Sequence, residues 1–88
     1  MKYQWTMHAL ERMAELNKPV QYYIDALRRS QPHHLSDEQQ AYKFSKYGMQ
    51  SLDDVYLYDE QKRLLFTLKP MQNVYLILTV TEGLGNFC

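Results

Sequence analysis

His8 and Arg12 stand four residues apart, so on a helix they are neighbours on one face. Histidine titrates near neutrality and arginine grips phosphate in a fork, so such a pair is chemically equipped to move a proton beside a phosphodiester. The competing reading is plainer. Glu11 and Glu15 share the same helix, and on spacing alone a solvated face laced by ion pairs is favoured. His33-His34 is a doublet in a polar stretch, and adjacent residues rarely converge on one metal, so no metal site is expected. Arg28-Arg29 suits a helix C-terminus and is a weak phosphate candidate. Cys88 is the single cysteine and has no defined helper, which argues against nucleophilic catalysis and internal disulfides. No glycine-rich phosphate loop, zinc motif or serine nucleophile motif occurs, and no cofactor is expected.

The totals narrow the classes further. Ten Lys/Arg balance ten Asp/Glu, so a strong sequence-independent hold on nucleic acid is not indicated. Eight tyrosines in 88 residues are the unusual feature, because the ring packs while the hydroxyl stays wet. No secretory leader pattern and no apolar run near the length of a membrane span is present, so a cytoplasmic protein with no membrane partner is the expectation.

The elements that must position these groups are read from periodicity. Residues 1–88 form one α+β domain, with 1–5 as an edge strand in which Lys2 and Gln4 alternate with Tyr3 and Trp5. Thr6 caps a helix to about Leu16, with Met7, Leu10, Met13 and Ala14 as its apolar stripe and Ala9 and Leu16 widening it. After Asn17-Lys18-Pro19, a second helix carries Val20, Tyr23, Ile24 and Leu27 at helical spacing. Ser36 and Gln39 match a capping box for a short helical turn. Ala41–Tyr47 alternates weakly as a strand and Gly48–Leu52 turns. Asp54–Tyr58, Arg63–Lys69 and Val74–Thr81 then read as a meander, and residues 83–88 as a mobile tail. The two helices are expected to pack on one face of this three- or four-stranded antiparallel sheet.

Register follows from burial, since a one-residue slip turns a whole strand over. Leu64, Phe66 and Leu68 should share the core face with Val74, Leu76, Leu78 and Val80, which requires residues of like parity to pair. Val55 and Leu57 should join them through pairing of unlike parity and a four-residue turn such as Asp59–Lys62. The other face then carries Tyr56, Tyr58, Arg63, Lys69, Tyr75 and Thr79, a mix of rings, cations and hydroxyls suited to stacking bases and holding phosphates. A solvated face, or one hidden in a homodimer, is the alternative.

The segment His8-Ala9-Leu10-Glu11-Arg12-Met13 resembles the opening of a bacterial and phage domain family that begins His-Ala-x-x-Arg-Met and closes with a strand like Leu76–Thr81. That family looks related to the RelE/BrnT-like toxins, whose fold group includes ribonucleases. The likeness spans about Tyr3–Thr81. It implies metal-independent RNA cleavage, with His8 and Arg12 as the motif-matched catalytic candidates and a cognate antitoxin as a partner. RelE-like toxins are typically strongly basic, whereas this chain is neutral. The alternative is a non-catalytic protein-binding module that uses the Tyr-rich sheet face. Such a module could be a phage-encoded inhibitor of a host enzyme, or an immunity or antitoxin partner.

Overall fold

The computed structural model describes residues 2–41 and 55–83. The chain opens with β1 (Lys2–Trp5) and passes through Thr6 into α1 (Met7–Leu16). Thr6 is the joint. Its hydroxyl accepts the Ala9 N–H at 3.2 Å, an N-cap contact, and donates to the Ile77 carbonyl at 2.7 Å. Asn17 ends α1 in the left-handed region (φ 59°), a conformation its short polar side chain tolerates, and its N–H meets the Met13 and Ala14 carbonyls. Pro19 precedes α2 (Val20–Arg29), and Ser30 closes it by donating to the Leu27 carbonyl from both N–H and hydroxyl. The Tyr23 hydroxyl donates to the Met13 carbonyl at 3.1 Å and ties the two helices together; burial pushes the phenol above its ordinary pKa, so it stays a donor.

The strand β2 (Gln31–Pro32) is followed by β3 (Val55–Asp59), β4 (Leu64–Pro70) and β5 (Val74–Glu82). The sheet runs β1-β5-β4-β3-β2. The meander and the two helices on one face are as the sequence predicts. Among the described residues the sheet, however, has five strands and is mixed, because β1 lies parallel to β5. These are the first and last of the described elements, so the intervening chain serves as the long crossover that parallel pairing demands.

The β3–β4 pairing has the expected unlike parity, Val55 opposite Leu68 and Leu57 opposite Phe66. Its turn occupies residues 60–63, one later than expected. Asp59 stays in the strand, where its carboxylate accepts the Gln61 N–H, and Arg63 takes the left-handed φ of 54°. The β4–β5 pairing begins with like parity, Phe66 opposite Val80 and Thr67 opposite Thr79. A β-bulge then shifts it, so that Leu68 faces Ile77, Lys69 faces Leu76 and Pro70 faces Tyr75. Leu78 is the extra residue. One inserted residue turns over everything before it in the strand. Ile77, not Leu76, is therefore fully buried among Leu64, Phe66, Leu68 and Val80, and Tyr75 packs half-buried against the same cluster. The expected Val74–Leu76–Leu78–Val80 core row is corrected to Ile77 and Val80, with Tyr75 at its end.

Thr6 engages the bulge directly. The irregular ladder presents the Ile77 and Leu78 carbonyls together, and the Thr6 hydroxyl reaches both, at 2.7 and 3.3 Å, while its N–H also meets Ile77. Pinning the helix start here turns α1 so that the small Ala9 faces the sheet beside Met13. The expected stripe is displaced, and Met7 (73% exposed) and Leu10 (43%) face outward. Thr6→Val keeps the shape and deletes the hydroxyl. It should cost about 1–2 kcal/mol in urea unfolding; an unchanged midpoint would mean the joint contributes nothing.

The face of the sheet away from the helices is partly closed. Leu35 packs on Leu65 with Tyr56 and Tyr58 around it, and Thr67 and Thr81 are buried. The segment that brings Leu35 there ends in the expected capping box. Ser36 N–H donates to Gln39 Oε1 at 2.9 Å, Gln39 N–H donates to Ser36 Oγ at 3.2 Å, and residues 37–41 are helical. The strand expected over Ala41–Tyr47, apart from the helical Ala41, lies outside the described residues. So do the turn Gly48–Leu52 and, after Gly83, the expected tail. Among the described residues no helix is long and apolar enough to cross a membrane.

Candidate functional site

The residues singled out by sequence fall into two groups with the sheet between them. His8 is exposed on the outer flank of α1, in the helix layer. Arg12 lies one turn on, and its guanidinium is paired with Glu15, the plain alternative the spacing allowed. Tyr56, Tyr58 and Thr79 lie on the opposite face. Tyr56 and Tyr58 are half-buried under Leu35, and Thr79 sits opposite Thr67. Lys69 is exposed near the end of β4, opposite Leu76. Arg63 belongs to the turn, where its carbonyl accepts the Gly83 N–H at 2.6 Å. Tyr75 is corrected to the helix face by the bulge, and its ring stacks on Tyr3 at 5.9 Å and 25°. Among the described residues these side chains do not converge on one site.

His33 and His34 separate as well. His33 continues the sheet edge, donating its N–H to the Tyr56 carbonyl at 2.9 Å, and its ring leans on Tyr58 at 5.8 Å. Its Nε2 is buried without a hydrogen-bond partner, whereas His34 is exposed. No group of three or more metal-ligating side chains forms among the described residues.

The adjacent arginines at the end of α2 have different fates. Arg29 turns to Asp59, which is 2% exposed, and meets both carboxylate oxygens, at 3.0 and 3.5 Å. This fork ties the helix end to the β3–β4 turn. It forms one wall of an open depression of about 490 Å³ that also includes Gln31, His33, Tyr58 and Glu60. Because the guanidinium is already committed to Asp59, that depression presents no free arginine, and its exposed charge is the Glu60 carboxylate. Arg28 takes the other side of the helix. It is exposed, and among the described residues it forms no ion pair.

Arg28 stands on the wall of a second cleft, of about 400 Å³, lined by Tyr3, Trp5, Ile24, Leu27, Arg28, Ser30 and Leu57. The construction is simple. Tyr3 and Trp5 alternate with Lys2 and Gln4, so both rings project to the helix side of β1. Trp5 meets Phe66 edge-on at 6.3 Å, which fixes the floor to the core, and the Tyr3–Tyr75 stack extends it outward. α1 lies on β5 and α2 on β3, so the rings of β1 are left half-covered beside α2. Among the described residues the cleft is an apolar, aromatic trough whose lining includes the exposed Arg28 and no carboxylate. Sequence reasoning missed it as a site. The Lys2/Tyr3/Gln4/Trp5 alternation was the available signal, and it was read only as an edge strand.

No protein family, curated protein or solved structure matches the chain.

Proposed function

We propose that this chain is a non-catalytic, cytoplasmic protein-binding module that takes hold of its partner at the Tyr3–Trp5–Arg28 cleft. The observation that carries this reading is the half-exposed aromatic floor beside an arginine that forms no ion pair among the described residues. Tyrosine, tryptophan and arginine are the residues that dominate protein interfaces, because they bury much area at low entropic cost and keep a polar handle. Neutral overall charge favours a protein partner over an RNA backbone. Tyr56 and Tyr58, the rings first expected to stack bases, are occupied with Leu35 and Leu65.

A second reading is a RelE-like toxin or phage accessory protein that cleaves RNA, without a metal, through His8 and Arg12. It is favoured by the exposure of His8 one turn from Arg12, and by the element order of two helices ahead of a meander.

One experiment separates the two. Tagged chain is used for capture from bacterial lysate with and without ribonuclease, alongside a growth assay on expression. A protein should be retained after ribonuclease treatment, lost with Tyr3→Ser or Arg28→Glu, and kept with His8→Ala or Arg12→Ala. Growth arrest relieved by His8→Ala or Arg12→Ala, with capture of RNA alone, would replace the binding reading by the catalytic one.

A further inference from the structure

We infer that the partner binds as an extended acidic segment that adds a sixth strand to the free edge of β1 and drops a bulky apolar side chain into the cleft. The inference rests on the binding reading above and specifies the chemistry of its partner.

Backbone direction comes first. The Thr6 N–H points inward, donating to the Ile77 carbonyl at 3.2 Å. Peptide groups alternate along a strand, so Gln4 and Lys2 also point toward β5. The N–H and C=O groups of Tyr3 and Trp5 therefore face away from β5. Among the described residues no strand pairs with that side. The same two residues supply the rings of the cleft. A strand laid along β1 gains backbone hydrogen bonds from Tyr3 and Trp5 and sets alternate side chains over their rings. This combination is the usual division of labour in strand addition, affinity from the backbone and specificity from a pocket. The opposite edge does not compete, because β2 has two residues and one is Pro32, which has no N–H.

Charge decides the occupant. Lys2 on the outer strand and Arg28 on the cleft wall are both exposed, and neither forms an ion pair among the described residues. Arg12 and Arg29, by contrast, are paired with Glu15 and Asp59. A second copy docked edge to edge would gather two copies each of the exposed Lys2 and Arg28 along one seam, which is unfavourable. A carboxylate-bearing segment of another protein is attracted at both positions.

The test uses the full chain and an N-acetylated, C-amidated heptapeptide, Asp-Glu-Phe-Glu-Val-Glu-Thr, followed by amide and methyl NMR shifts. Binding should move the Tyr3 and Trp5 amides, the Trp5 indole and the Ile24 and Leu57 methyls. The peptide with lysine in place of every acid, and the peptide N-methylated at alternate amides, should each bind about tenfold more weakly or worse. Arg28→Glu, a change at an exposed position, should weaken the acidic peptide by a similar factor and improve the lysine peptide.

Equal binding of acidic and lysine peptides, or indifference to Arg28→Glu, would overturn the acidic partner. Full-strength binding of the N-methylated peptide would overturn strand addition. Shifts elsewhere, no response to any peptide, or a micromolar dimer with β1 at its seam would overturn the inference outright. Any of these can occur while ribonuclease-resistant capture still depends on Tyr3 and Arg28, so the binding reading fails only with that dependence.

Discussion

Replacing Ile77 with alanine should destabilise the protein by about 2–5 kcal/mol, whereas Leu76→Ala should cost roughly 1 kcal/mol. The two residues are adjacent and similar in size, so the contrast comes from the bulge alone. Ile77 is fully buried on the helix face, opposite Leu68 and in the cluster with Phe66 and Val80. Truncating it leaves a cavity that close-packed neighbours fill only in part. Leu76 is half-exposed on the other face, opposite Lys69, and its methyls lose little on return to water. Urea unfolding of both variants measures the difference. A strand without the bulge, alternating evenly from Val74 to Val80, would reverse the order of the two costs. That reversal would also move Tyr75 away from Tyr3 and dismantle the outer end of the cleft.

Phe66→Ala should be among the most damaging single truncations, costing about 3–5 kcal/mol. Phe66 is in the middle strand of the meander, opposite Leu57 on one side and Val80 on the other, and it is completely buried. A small domain has only about 5–15 kcal/mol of stability in total, so the variant would stand near the edge of folding. The effect should also be visible at the cleft. Trp5 is the single tryptophan and its ring rests edge-on against Phe66, so its emission should shift to the red under native conditions as the floor loosens. Phe66→Leu keeps the site apolar and removes less volume, so it should cost clearly less than Phe66→Ala, roughly 1–2 kcal/mol, leaving the fold and most of the Trp5 signal intact. If Phe66→Ala left both midpoint and emission unchanged, the floor of the cleft would not be anchored where the structure puts it.

Local chemistry was legible in the chain wherever one residue type settles one question. Thr6 announced the start of α1, Asn17 and Pro19 the break between the helices, and Ser36 with Gln39 the short turn after Leu35. The parity of β3 against β4 could also be derived, because Val55, Leu57, Leu64 and Phe66 leave only one register that buries all four. The weak point was β5. Its apolar residues alternate so regularly that nothing in the order of side chains marks Leu78 as extra, and Ile77 is as good a core residue as Leu76. The irregularity coincides with a contact 71 residues away in the chain, from Thr6 to the Ile77 carbonyl.

The candidate site divides in the same way. The order of residues was enough to read a helix flank bearing His8 and Arg12, a pair of arginines at the end of α2, and a short strand with its aromatic residues on one side. Local periodicity is enough for these, since each concerns residues within one turn or one strand. Folding sends Arg29 to Asp59, leaves Arg28 without an ion pair among the described residues, and lays Leu35 over Tyr56 and Tyr58. It also decided that the first and last strands run side by side, leaving the rings of Tyr3 and Trp5 half-covered beside Arg28. Which cation is neutralised and which ring is covered depends on what distant segments arrive, and neither spacing nor propensity encodes that arrival.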